Sequence, residues 1–150
     1  MMRSIACMAA IMFVTPALAS GGFSCEADDA SAKFTIEAGL SRGAGNGLFN
    51  FRGELELTGK DVAEDFRKSV FDQGNLMQHW IDGKDLRLEL YRERSGDKPF
   101  AELTLLIEAV LVEEGSYAGP YSLRLMDMTG DTSGEGRTVT IEGKASCIAE

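Results

Sequence analysis

The chain has 150 residues, with 15 Lys and Arg, 24 Asp and Glu and a single His, for a formal net charge of −9; 44% of its residues are hydrophobic and 26% charged. These proportions exclude a disordered chain, a collagen and a bundle of membrane helices, and the length suits one domain that buries roughly two thirds of its unfolded surface. The acidic balance repels nucleic acid and anionic lipid and favours a basic partner, besides keeping the molecule in solution.

The chain opens with Arg3, an apolar run over residues 5–14 and the triplet Ala17-Leu18-Ala19. That is the pattern of a secretory signal peptide cleaved before Ser20. A membrane anchor needs about 18 or more apolar residues, and Pro16 ends this run earlier. Lipidation of Cys25 is not expected, because Gly22-Phe23-Ser24 precede it and the aliphatic residue a lipoprotein places three positions before its cysteine is missing. Loss of residues 1–19 removes one positive charge and Cys7, leaving a chain of net charge −10 with Cys25 near its start and Cys147 near its end. No later stretch is long enough to span a membrane, so a soluble periplasmic or secreted domain over residues 20–150 is expected. An even pair of cysteines in an exported protein reads as a disulfide. Closing so long a loop stabilises by roughly 4–5 kcal/mol in the chain-entropy model.

All 17 glycines lie beyond residue 19, most of them between runs of alternating polarity. Strands joined by turns produce that distribution. Phe34, Ile36, Ala38 and Leu40 share one face of a first strand, and after the glycine-rich loop 41–47 a second strand places Phe49, Phe51, Gly53, Leu55 and Leu57 inward. The two form a hairpin. From Asp61 the period changes: Val62, Phe66 and Val70 recur every four residues, and Asp61 with Glu64 suits the start of a short helix over 61–73. Up to two further strands fit between 60 and 82, where segment 75–82 holds the only His and the only Trp. Leu86, Leu88 and Leu90 alternate into a turn at 95–99 and return through Ala101, Leu103, Leu105, Ile107 and Ala109. Tyr121, Leu123 and Leu125 follow, and Val139, Ile141, Gly143 and Ala145 lead to Cys147. Six strands are well defined. Successive antiparallel strands whose first and last members are tied by a disulfide predict an all-β fold, a small up-and-down barrel of six to eight strands with one short helix across an end. A two-sheet β-sandwich is the alternative.

No catalytic constellation emerges. His79 has neither a G-x-S-x-G elbow nor a free cysteine to serve, and the acids at 28–29 and 113–114 read as solvated. Asp127, Asp131 and Glu135 are spaced four apart in the loop 127–135, but the ligand order of a calcium-binding EF-hand is missing, and two cysteines with one distant His lack zinc-ligand spacing. Glycines 43, 45 and 47 lack the Lys-Ser/Thr of a phosphate loop. Neither cofactor nor metal is expected. Aromatic residues are enriched at recognition hot spots, so His79, Trp80, Tyr117 and Tyr121 are the candidate recognition surface. The expected function is a non-catalytic binding module acting through loops or rim on a protein or envelope component, such as an acidic inhibitor of a basic enzyme. A lipocalin-like carrier of a small apolar ligand and a hydrolase built on carboxylates are the alternatives. The first consequence to check is the leader: N-terminal sequencing of protein recovered from the periplasm or medium is expected to read from Ser20, and an intact Met1 on membrane-embedded protein would contradict it.

Overall fold

The computed structural model describes residues 20–150 except Ala44 and Asp131; the expected leader over 1–19, with Cys7, lies outside the described residues. Among the described residues nine strands run in chain order: β1 (Ser20–Asp28), β2 (Ala32–Ser41), β3 (Leu48–Leu57), β4 (Lys68–Asp72), β5 (Leu76–Asp82), β6 (Asp85–Glu93), β7 (Ala101–Glu113), β8 (Ser116–Asp127) and β9 (Arg137–Ala149). All pair antiparallel in one sheet of order β4-β3-β2-β1-β9-β8-β7-β6-β5, curled into a nearly closed barrel. A single sheet sets the sandwich aside. The ninth strand is β1, whose inward face is Phe23, Cys25 and Ala27; two of the three are small, so the apolar signal in the sequence is faint.

The helix expected over 61–73 is not formed. A single 3-10 turn at Glu64–Phe66 stands there, followed at once by β4. The four-residue spacing nonetheless marks two buried plugs, because Val62 and Phe66 close one end of the barrel while Val70 points out. Tertiary burial of two side chains, without a third, does not hold a helix against pairing of residues 68–72 with β3.

Closure at the seam depends on β4 and β5 acting as one interrupted strand. β4 pairs with β3 and β5 with β6, so the chain passes from one edge of the sheet to the other through a 3-10 turn at Gln73–Asn75. Asp72 Oδ1 accepts from Gly74 N and Asp72 N donates to Asn75 Oδ1, which fixes the turn. Asn75 Nδ2 then donates to Tyr91 O of β6, and Arg92 Nη1 to Ser69 Oγ of β4. Below that turn no ladder joins β3 to β5.

Side chains fill the barrel axis. Phe34, Ile36, Leu55, Leu88, Leu90, Leu103, Leu105, Ile107 and Leu123 are fully buried, as the alternation in β2, β3, β6, β7 and β8 predicts, and Phe71 of β4 joins them. One register slips. The β2–β3 ladder shifts between Glu37 and Gly39, Asn50 takes φ 52°, and Leu48 enters the core in place of Phe49. Phe49 lies outside over Gly39, where a Cβ would come 2.3 Å from its ring.

Cys25 and Cys147 are direct cross-strand partners, Cα atoms 4.0 Å apart, and form the disulfide. A disulfide marks a protein that matures outside the reducing cytoplasm. No helix among the described residues is long and apolar enough to cross a membrane. Replacing both cysteines by Ala is expected to lower stability by about 2–5 kcal/mol, read as a drop in Tm that reduction of the wild type reproduces; equal melting of oxidised and reduced protein would contradict it.

Candidate functional site

The two ends of the barrel differ. At the plugged end lie the turns after β1, β6 and β8 and the segment before β4. At the turn end lie the short connections between β5 and β6 and between β7 and β8.

At the plugged end Arg94 is 5% exposed and fully engaged. Its Nε and Nη2 donate to the two carboxylate oxygens of Asp65, at 2.6 and 3.1 Å, and Nη1 to Asp127 Oδ1 at 2.9 Å, Thr129 Oγ1 at 3.0 Å and Pro99 O at 2.8 Å. The guanidinium also lies over the Phe66 ring, 5.6 Å from its centre. Hydrogen bonds from Arg94 hold Asp65 below the usual carboxylate range and Asp127 down to about 2. Two carboxylates tied this firmly to a cation serve neither as proton donors nor as free metal ligands at neutral pH. Asp127 is one of the three acids of the loop 127–135, so that trio loses a member to Arg94; Asp131 lies outside the described residues. The knot floors a surface cleft of about 590 Å³ that Lys98 and Arg137 also line.

The four residues of the expected recognition surface do not come together. Neighbouring residues on a strand point to opposite faces, so Trp80 projects outward from β5, 58% exposed, while His79 is half-buried opposite Leu88. Tyr117 and Tyr121 point into the barrel, with 7% and 1% exposure, and belong to the core. Tyr117 donates to Gly83 O. Tyr121 stacks edge-on against Phe34 with ring centres 5.2 Å apart, crosses the space that Gly143 leaves open, and donates to Asp29 Oδ2 in the turn after β1. Burial raises its hydroxyl pKa, and the bond from Tyr121 lowers that of Asp29. Both tyrosines are long enough to carry a polar tip to the rim while the ring fills the core.

Trp80 instead meets residues that the sequence reading passed over. It stands opposite Arg87, which faces Glu108 of β7 at 3.2 Å, and beside them Val110 is 54% and Val112 64% exposed. Trp80, Leu86, Arg87, Glu108 and Val110 line a shallow cleft of about 270 Å³. The signal was present: the outward positions of β7 run Glu102, Thr104, Leu106, Glu108 and then switch to Val110 and Val112. Asp82, Asp85, Glu113 and Glu114 are exposed around this strip, and no ion pair among the described residues engages them.

Comparison with known protein families, curated proteins and solved structures finds no match to this chain.

The Arg94 knot generates a pH prediction. Because the folded pKa of Asp127 lies below its unfolded value, its contribution is complete above about pH 4 and fades as pH falls toward 2. The stability difference between wild type and Asp127→Asn is therefore expected to be constant from neutral pH to about pH 5 and to shrink below pH 4. Arg94→Ala, which strands two carboxylates, is expected to cost about 3 kcal/mol or more by urea unfolding at neutral pH. A difference that grows on acidification would contradict the assignment.

Proposed function

We propose that the protein is an exported, non-catalytic binding module of the periplasm or the medium, and that it engages a basic protein or envelope component through the turn end. The observation that carries this reading is the Trp80–Val110–Val112 strip, an exposed apolar surface framed by Asp82, Asp85, Glu113 and Glu114, four acids against the single exposed Lys84 of the same turn and none of them in an ion pair among the described residues. Aromatic anchors supply binding energy, and surrounding charge supplies encounter rate and partner choice. The chain's net charge of −9 acts in the same direction, as an acidic inhibitor of a basic enzyme requires.

Two other readings fit less well. A carrier needs a lumen, whereas Phe34, Leu90, Leu105 and Leu123 occupy the axis. A carboxylate hydrolase needs one acid that is protonated near neutral pH, whereas half-buried Asp65 and buried Asp127 are held ionised by Arg94.

The test is titration of the exported chain against a panel of basic secreted enzymes, with polylysine as the control for charge alone. For the partner that binds, Trp80→Ala is expected to weaken affinity by about 30-fold, the equivalent of 2 kcal/mol. Reversing Glu113 and Glu114 to Lys is expected to slow association most at low salt. Binding that survives both changes, or that polylysine matches, would overturn the assignment of the surface.

A further inference from the structure

The seam between β3 and β5 has no ladder below the Gln73–Asn75 turn, and one side chain reaches across it from the β2–β3 loop: Asn46 Nδ2 donates to Ile81 O at 3.0 Å. The N–H and C=O of one strand residue point to the same side, so the bond also shows which edge of β5 faces the seam. Asn46 adopts φ 43°, a left-handed conformation that asparagine tolerates better than most residues. Gly47 follows it in the chain. A Cβ on Gly47 would meet nothing within 4 Å, so the flank on which Asn46 meets the next amide is open.

We infer that Asn46 is a spontaneous deamidation site and that its conversion releases the β5 edge of the seam. In the first step Gly47 N attacks Asn46 Cγ. The new C–N bond closes a five-membered imide, the bond from Cγ to Nδ2 breaks, and ammonia leaves carrying the proton from Gly47 N. Water then adds to either imide carbonyl and opens the ring to Asp or isoAsp. Water is consumed, ammonia is released and nothing is oxidised or reduced. The product carries a carboxylate where a donor stood, and a carboxylate cannot donate to Ile81 O. The isoAsp product also lengthens the backbone of the loop that sets the latch.

The chain supplies its own controls, because it has only three asparagines. Asn50 precedes Phe51, whose bulk shields its amide nitrogen. Asn75 precedes Leu76 and is engaged twice, accepting from Asp72 N and donating to Tyr91 O. The open space at Gly47 makes Gly47→Ala a variant that keeps the latch while hindering the attack.

The experiment ages the exported chain, disulfide intact, in mildly alkaline buffer, with peptide mapping for a one-dalton gain and for isoaspartate and with amide hydrogen exchange on the same samples. Asn46 is expected to convert ahead of Asn50 and Asn75, and Gly47→Ala to slow that conversion by about tenfold or more, because only glycine leaves the attacking nitrogen unobstructed. Exchange in β5 is expected to rise in converted wild type and in Asn46→Asp, and to stay at the starting level in Gly47→Ala. Conversion at Asn50 or Asn75 that keeps pace with Asn46 would overturn the site, and unchanged exchange in β5 after conversion would overturn its consequence.

Discussion

Two local meanders, β1 to β4 and β5 to β9, make up the barrel, and the ladder between β1 and β9 is the place where they share backbone hydrogen bonds. It is short, running from Phe23 opposite Ala149 to Glu26 opposite Ser146, whereas β8 and β9 pair from Ser116 to Asp127. The Cys25–Cys147 bond lies inside that short ladder. A covalent tie is most useful where the hydrogen-bonded join is weakest and the loop it closes is longest. On the far side of the barrel the meanders meet again without a continuous ladder, through the interrupted β4–β5 strand and the side chains of Asn75, Arg92 and Asn46.

The interior is packed with side chains, and the two ends of the barrel are built to different rules. At the plugged end opposite charges are neutralised by close pairing around Arg94, where all three guanidinium nitrogens donate to fixed acceptors. At the turn end acids are left to water beside exposed apolar side chains. Exposed apolar side chains ringed by unpaired acids are the feature on which the proposed binding reading rests.

How much of this was legible depended on the distance over which each feature is encoded. Period-two alternation is local, and it located the inward faces of β2, β6, β7, β8 and β9 from residues such as Leu103, Leu105 and Ile107. The four-residue recurrence of Val62 and Phe66 was also local but ambiguous, since two buried residues four apart fit a helix or a plugging turn equally well. The Arg94 knot was invisible because Asp65 and Asp127 lie 29 and 33 residues away in the chain. Phe49 was misplaced because Asn50 enters the left-handed region and shifts the register, which hydrophobic pattern alone does not encode. Among the candidate site residues, strand parity separates His79 from Trp80, and the inward faces of β8 claim Tyr117 and Tyr121.

The broken strand also shows how differently the two joins of the barrel are made. Each meander is built of neighbouring hairpins, whose pairing needs only short loop closures, whereas the β1–β9 ladder closes a loop of 122 residues. The joint at residues 73–75 links the same two meanders on the opposite side through the chain itself. Oxidation of Cys25 and Cys147 therefore turns the one non-local closure of the native barrel into a covalent one, so that both joins are held by bonds of the chain.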